Sequence, residues 1–299
     1  MIWGLVRGVL TGAILSGTSL LYATLGEVIV ERSGIVNLGL EGVLLVGAST
    51  AFAVTTVSGS ALAGVLSAAQ AAALMNLAFG YVVVLRRGNQ LASGLALMFL
   101  GFGVSALVGR PFVGGLITGL RKVRIPLGGT AVLPVDLLVL LVGPVAVLTW
   151  WLLFRTRWGL GLRAAGEDPA AAFAAGRNPE LLRLQALFVG GMLAGTGGAH
   201  LSVSLTMTWN EGMTGGRGFI AIALVIFSKW HPLRAVAGAL VFGGAEALQL
   251  QLQAQGVGVS PFLMDMIPYL LTLLVLLLWG GARRLAAPAA LGRTFHGTE

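Results

Sequence analysis

The hydrophobic positions of this 299-residue chain fall into long continuous runs that are separated by short polar segments. A helix needs about 20 mainly apolar residues to cross a bilayer, whereas the strands of a membrane barrel alternate in polarity over roughly ten residues. The continuous runs therefore predict an all-α integral membrane protein, a polytopic bundle with one transmembrane domain over residues 1–299. Nine segments are predicted, at residues 5–25, 34–55, 60–85, 91–109, 133–154, 186–206, 218–229, 235–252 and 262–280.

The seventh run, residues 218–229, is too short to cross a membrane alone. Two adjacent glycines precede it, so we predict that it continues a broken or re-entrant element that begins near Asn210. The N-terminus of such a half-helix favours polar or anionic groups. Thr214, Arg217 and Phe219 are therefore candidates for the outer part of a solute pathway. Arg217 as a snorkelling anchor and Phe219 as a core or lipid-facing side chain are the alternatives.

The composition places the chain outside the soluble globular class. It is 57% hydrophobic and 10% charged, with a mean hydropathy of +0.91, whereas soluble proteins carry about 25% charged residues. The absence of cysteine excludes disulfides and thiolate chemistry. The three histidines, His200, His231 and His296, do not have metal-ligand spacing, so no metal or cofactor is expected.

The basic residues predict the orientation in the membrane. Loops on the cytoplasmic side carry an excess of Lys and Arg, which explains the net charge of +8 without a nucleic-acid partner. With the N-terminus outside, thirteen of the 19 basic residues fall inside. We therefore expect a multi-pass protein of the cell membrane with an external N-terminus and a cytoplasmic C-terminus. Residues 110–132 then form an external loop, whose basic cluster at 121–124 runs against the trend. The first run continues past residue 25 without a small-residue cleavage site, so no cleavable signal is expected.

The longest predicted cytoplasmic loop, residues 155–185, has helix signals of its own. Asp168 followed by Pro169 is typical of a helix start, the alanine-rich run after it favours helix, and Gly176 ends it. The pattern predicts a short helix between two turns, with Phe173 as its one large apolar side chain. Long loops are often functional, so this helix either contacts a cytoplasmic partner or is a plain connector.

Residues 34–48, GIVNLGLEGVLLVGA, combine an apolar run with polar side chains and several glycines. Asn37 and Glu41 are four residues apart and would share one face of a helix. A charge at the bilayer centre costs about 2.5–3.5 kcal/mol or more, so it usually faces a cavity or a partner. We predict a discontinuous helix that lines the translocation path. Asn37 would offer its amide to substrate, and Glu41 would accept from substrate or hold the break together.

The alternative is a packing motif, in which glycines permit close helix contact and Glu41 bonds to a neighbouring helix. Gln70 and Asn76 interrupt the third run and are further candidates for the path, although an interhelical hydrogen bond is the more common role of such a residue. Glu27, Glu31 and Arg32 are interpreted as a salt-bridged polar turn at the cytoplasmic end of the first helix.

Three stretches, residues 26–48, 163–199 and 213–246, resemble the transmembrane permease subunits of ATP-binding-cassette importers for branched-chain amino acids, simple sugars and nucleosides. The first and third are most similar to permeases of the purine-nucleoside type, which work with a lipoprotein receptor. The resemblance implies a complex of two permeases and two ATPases, in which the second permease is a different chain and an external binding protein or lipoprotein delivers the solute. A nucleoside is the expected solute, with simple sugars or branched-chain amino acids as alternatives.

The resemblance also implies that the loop at 155–185 carries a cytoplasmic coupling helix that contacts the ATPase. The residues implied in this contact are Glu167, Asp168, Pro169, Ala172, Phe173, Ala174 and Gly176. ATP hydrolysis belongs to the partner, because neither Lys122 nor Lys229 follows the glycine pattern of a phosphate-binding loop. The chain itself is therefore expected to be a transport subunit and not an enzyme.

Two other classes compete with this interpretation. In a proton-coupled secondary transporter, Glu41 and Glu246 would relay protons. In an intramembrane hydrolase, a serine such as Ser105 would pair with His200. The absence of a nucleotide site and the helix at Asp168 favour the importer over the secondary transporter, and no local signature supports the hydrolase.

Overall fold

The computed structural model describes residues 2–126, 132–255 and 287–293, together with scattered positions between 256 and 286. Within this part of the chain, seven helices are long and apolar enough to cross a membrane, in agreement with an all-α polytopic protein. These candidate spans are Val6–Arg32, Leu40–Ser58, Ala61–Leu85, Gln90–Phe112, Leu137–Arg155, Pro179–Leu205 and Pro232–Ala254. The predicted ninth segment, residues 262–280, falls largely outside the described residues.

The element order follows the predicted runs with two additions, a small sheet and an extra helix. The helices are α1 (Ile2–Arg32), α2 (Leu40–Ser58), α3 (Ala61–Gly80), α4 (Gln90–Gly109), α5 (Leu137–Arg155), α6 (Arg157–Glu167), α7 (Pro169–Ala174), α8 (Pro179–His200), α9 (Arg217–Phe227) and α10 (Pro232–Ala254). Short π-helical turns extend α3 over Tyr81–Leu85 and α8 over Leu201–Leu205. The two strands are β1 (Val123–Pro126) and β2 (Val132–Val135).

Small residues let the helices of the bundle approach closely. A Cβ atom added to Gly101 of α4 would lie 2.5 Å from the Cα atom of Gly42 in α2. A Cβ on Gly198 of α8 would lie 2.2 Å from the carbonyl oxygen of Leu44. Such contacts are typical of membrane bundles, where tight packing replaces the hydrophobic effect between helices. Helix α1 is the central element, because it packs against both α8 and α10 and is buried over most of its length.

The predicted break within the second helix is not present, because α2 is continuous from Leu40 to Ser58. The non-helical part of this stretch is the connection between α1 and α2, residues 33–39, which we call the break. Residues 33–39 are not helical and turn at Gly34, whose φ of +93° favours glycine. The later glycines of this stretch serve packing, since a Cβ on Gly42 would lie 2.6 Å from the Met98 carbonyl oxygen. The prediction that Glu27–Arg32 forms the end of the first helix is confirmed, since α1 ends at Arg32. Both carboxylates are buried, and within the described residues neither forms a salt bridge with Arg32.

The predicted loop at 110–132 contains a β-hairpin instead of plain loop. Strand β1 pairs antiparallel with β2, with Val123 opposite Val135, and residues 127–131 lie outside the described part of the chain. The fifth helix therefore begins at Leu137 and not at residue 133. Asp136 caps it, because its Oδ1 atom accepts from the backbone N–H groups of Leu138 and Val139 at 2.8 and 3.2 Å.

The predicted loop at 155–185 is largely helical. The short helix α7 is present, with Asp168 as its N-cap and Gly176 in the left-handed conformation after its end. The sequence interpretation missed α6, an amphipathic helix at Arg157–Glu167. Helix α8 begins at the helix-start signal Asn178–Pro179, ahead of the apolar run predicted from residue 186. We call the side of the bundle that carries α7 the α7 face, and the opposite side the hairpin face.

Candidate translocation site

Helix α9 is a half-helix whose N-terminus lies inside the bundle. Its 11 residues span about 16 Å, roughly half of a hydrocarbon core, so it does not cross a membrane. Gly216 precedes it with a φ of +85°. A Cβ on Gly218 would lie 2.4 Å from the backbone nitrogen of Glu41, so the start of α9 touches the start of α2. A short element after residue 210 was predicted, and the structure contains it as a helix that begins at Arg217.

The Glu41 carboxylate accepts hydrogen bonds from the residues at the N-terminus of α9. Its Oε1 atom accepts from the Thr214 hydroxyl at 2.6 Å and from the Gly216 N–H at 2.8 Å. Its Oε2 atom accepts from the Gly218 N–H at 2.6 Å. The start of a helix carries partial positive charge and unpaired N–H groups, which a carboxylate satisfies. Glu41 and Thr214 are both buried, so this arrangement favours the role of holding the break together.

Asn37 and Asn76 belong to one buried network. The Asn37 amide nitrogen donates to the Asn76 Oδ1 atom at 3.0 Å, and the Asn76 amide nitrogen donates to the Leu187 carbonyl at 3.1 Å. The Asn37 backbone N–H donates to Glu27 Oε1 at 3.2 Å, and its own Oδ1 atom accepts from the Gly39 N–H at 2.9 Å. These bonds join α1, the break, α3 and α8. The two amides, predicted separately as path candidates, therefore bond to each other and to the backbone.

The far end of α9 is attached to α1 as well. The Trp230 indole N–H donates to Glu31 Oε2 at 2.6 Å, and the Arg32 guanidinium donates to the Trp230 carbonyl at 3.0 Å. Both Lys229 and Trp230 have positive φ values, so the turn is tight. Partial burial, with the nearby charges of Arg234 and Arg32, lowers the pKa of His231 in this turn. No local signal in the sequence indicated that Trp230 would pair with Glu31.

A cavity of about 370 Å³ lies between α1, α9 and α10. Arg217 and Glu246 line it and form an ion pair, and their side chains are 11% and 28% exposed. Arg217 also donates to the Ser16 carbonyl at 3.3 Å and to the Ser19 hydroxyl at 3.0 Å. Sequence reasoning named Arg217 as a path candidate, but gave Glu246 an interhelical hydrogen bond or a role in the rival proton-relay scheme. A charged side chain beside or within an apolar run was the available signal for both.

Five of the seven predicted path residues do not line this cavity, and three of them, Asn37, Glu41 and Asn76, form the buried contacts described above. Gln70 on α3 and Phe219 on α9 are exposed, and neither lines the cavity. Thr214 and Arg217 do line it, together with Gln249 of α10. Glu246 lies about 21 Å along α10 from Pro232, measured at 1.5 Å per residue, so the cavity lies in the half of the bundle that is far from the α7 face.

The residues implied in ATPase contact form two groups on the α7 face. Phe173 is 56% exposed, and Glu167, Asp168, Ala174 and Gly176 are exposed as well. Ala172 is buried against the bundle, so it anchors α7 and does not present a surface, and Pro169 is partly buried. Asp168 Oδ1 accepts from the N–H groups of the first turn of α7, Ala170 at 2.9 Å and Ala171 at 3.0 Å.

The pairing that a hydrolase requires is not formed. The Ser105 hydroxyl donates to the Phe102 carbonyl at 3.0 Å. The two ring nitrogens of buried His200 form no hydrogen bond with the described residues, and the closest carboxylate oxygen, on Asp136, is 3.9 Å away. A nucleophile must lie within hydrogen-bond reach of its base, so the hydrolase alternative is wrong.

Seven candidate spans, a half-helix and an internal charged cavity define a polytopic membrane transport protein. Residues 9–276 match the family described as branched-chain amino acid transport system / permease component. The chain belongs to this family.

Three curated relatives match nearly the whole chain. TsgC13 of Haloferax volcanii, a proposed glucose ABC transporter permease, is 35% identical over 97% of both chains. The guanosine ABC transporter permease NupQ of Bacillus subtilis is 33% identical over 91% of both, and the nucleoside ABC transporter permease NupC of Lactococcus lactis is 31% identical over 95% of both. No solved structure matches. The chain is thus an ABC transporter permease, a transport subunit and not an enzyme.

Proposed function

We propose that this permease imports a nucleoside, or a simple sugar as the second candidate, across the cell membrane. The observation that carries the proposal is the agreement of the three relatives over 91% or more of the chain, since their names give guanosine, nucleosides and glucose. All three solutes contain a hydroxylated sugar ring. Branched-chain amino acids, which the family description names, are the third candidate.

The proposed partners follow from the permease class. Two ATPase subunits bind at the α7 face, where the exposed Phe173 and Ala174 offer an apolar contact. A second permease, encoded as a different chain, completes the membrane part, and an external binding protein or lipoprotein delivers the solute. Because this family uses a partner for ATP hydrolysis, uptake by the complete complex requires ATP.

The solute path runs through the charged cavity. The side chains of Asn37 and Glu41 stabilise the neighbouring break, residues 33–39, and do not contact the solute. The contacts that support this division are the three bonds of Glu41 to the start of α9 and the bond of Asn37 to Asn76. Glu246 pairs with Arg217, and Glu41 accepts three hydrogen bonds at the start of α9, so both carboxylates of the proton-relay alternative have partners.

Reconstitution in proteoliposomes tests the function. The complete complex, with receptor and ATPase, is expected to accumulate radiolabelled guanosine or glucose only when ATP is present on the ATPase side. The permease alone in a proton gradient is the control for the secondary-transporter class. Uptake by the permease alone, or accumulation of leucine but neither other solute, would contradict the proposal.

We also propose that the α7 face is cytoplasmic and the hairpin face external, which follows from the distribution of basic residues. The chain has no cysteine, so one introduced cysteine is a unique label. Ala174→Cys is expected to react with a membrane-impermeant maleimide only in inside-out vesicles, and Leu116→Cys only in right-side-out vesicles. The reverse pattern would invert the topology.

A further inference from the structure

We propose that the cavity beside Arg217 and Glu246 is a binding subsite for the vicinal hydroxyl groups of a neutral sugar ring. This inference rests on the proposed function and names the part of the solute that the site recognises. Its volume of about 370 Å³ falls within the usual range of ligand cavities, roughly 300–1,000 Å³. That space accommodates a ribose or hexose ring with part of a nucleobase.

The charges of the site select for a neutral solute. Arg217 and Glu246 are paired, so the positive and negative charges of the lining offset each other. The partial positive charge at the start of α9 is already satisfied by Glu41. A phosphate group would therefore find no unpaired cationic site among these groups. A nucleoside fits better than a nucleotide.

The ion pair offers the hydrogen bonds that a vicinal diol needs. A carboxylate accepts hydrogen bonds on two oxygens, and a guanidinium has five N–H donors in a planar fork. Three of the contacts of Arg217, to Glu246, Ser16 and Ser19, hold the fork in place. A sugar hydroxyl can donate to Glu246 while its neighbour accepts from Arg217, and the ion pair stays intact.

Apolar side chains complete the site. Leu20, Ile220 and Phe242 line the same cavity and offer a surface to the carbon face of a sugar ring. A few placed polar groups on a mainly apolar wall are the usual construction of a small-molecule site. An amino acid is a poorer ligand here, because its two charged groups would lose their hydration beside charges that already offset each other.

Site-specific labelling tests the subsite without relying on transport. Leu250 lines the cavity and is 55% exposed, so Leu250→Cys introduces a unique thiol at its edge. In the receptor-free permease–ATPase complex in nanodiscs, saturating guanosine is expected to slow maleimide labelling of this thiol. Dideoxyguanosine, which lacks the vicinal hydroxyls, should protect about a hundredfold more weakly, since two hydrogen bonds to charged groups are lost. Leucine should not protect.

Three controls separate the outcomes. Leu116→Cys, an exposed site outside the cavity, should label at one rate with every solute. Glu246→Gln and Arg217→Lys, each added to Leu250→Cys, should remove the preference for guanosine over its dideoxy analogue. The comparison of the two nucleosides on the Leu250→Cys chain needs neither of these variants, so it holds even if one misfolds.

Equal protection by the two nucleosides, protection by leucine, or no protection by any solute would overturn the subsite. The proposed function has a separate readout, since ATP-driven uptake of guanosine or glucose without such protection would leave the import function standing. Failure of uptake together with clear hydroxyl-dependent protection would overturn the proposed function and retain the subsite.

Discussion

Glu41→Ala is expected to abolish transport and to destabilise the bundle, the largest effect of any single change in the site. The substitution leaves the Thr214 hydroxyl and the N–H groups of Gly216 and Gly218 without their acceptor in a buried region. Each buried unsatisfied group costs about 1–3 kcal/mol, so a loss of about 3 kcal/mol or more in the free energy of unfolding is expected. Thermal unfolding in detergent and ATP-driven guanosine uptake measure the two effects.

Glu211→Ala is the matched control, because Glu211 is a carboxylate in the segment just before α9, close in sequence to Thr214, but its side chain is exposed. It should leave both the unfolding temperature and uptake near those of the unmodified protein. Thr214→Val removes one of the three donors and should cost about 1 kcal/mol. If Glu41 were a substrate ligand only, Glu41→Ala would weaken solute binding while the unfolding temperature stayed constant. That result would contradict the role of Glu41 at the start of α9.

Phe173→Glu is expected to abolish ATP-driven uptake without unfolding the permease. Phe173 is 56% exposed on α7, so a charge at this position does not enter the core. The same charge placed in an apolar contact with the ATPase loses its hydration without a partner, which costs several kcal/mol. Co-purification of the ATPase subunits, uptake and the unfolding temperature of the permease together measure this effect.

Two variants separate a contact surface from a structural position. Val57→Glu adds the same charge at the end of α2, where the side chain is 80% exposed, and should leave ATPase binding unchanged. Ala172→Glu inserts a charge at a buried position of α7 and should lower the unfolding temperature. Normal uptake by Phe173→Glu would mean that α7 is a plain connector.

Local signals in the sequence predicted the elements well, because caps and hydrophobic runs act over a few residues. Asp168 and Pro169 define the start of α7, and Asn178 caps α8 in the same way. The sequence did not identify the hydrogen-bond partners of buried polar side chains when those partners lie far apart along the chain. Glu41 bonds to Thr214, 173 positions away, and Trp230 bonds to Glu31, 199 positions away. A carboxylate within an apolar run indicates that a partner exists, but it does not identify that partner.

The roles of the glycines in residues 34–48 also could not be predicted from local sequence. Gly39, Gly42 and Gly47 suggested a flexible break, yet only Gly34 in that stretch adopts a positive φ. The others are required by close neighbours: a Cβ on Gly47 would lie 2.7 Å from the Cα atom of Gly195. A glycine that permits a turn and a glycine that permits close packing have the same sequence pattern. Only the tertiary contact distinguishes them.

Helix α9 is attached at both ends, by Glu41 of α2 at its start and by Glu31 and Arg32 of α1 beyond its end. A helix of 11 residues is stiff along its axis. It therefore links the α7 face to the charged cavity as one rigid element about 16 Å long. We expect a displacement of the turn at Trp230 to move Arg217 as well, because one short helix joins them. In the proposed importer, movement at the α7 face would then reach the charged cavity through this single element.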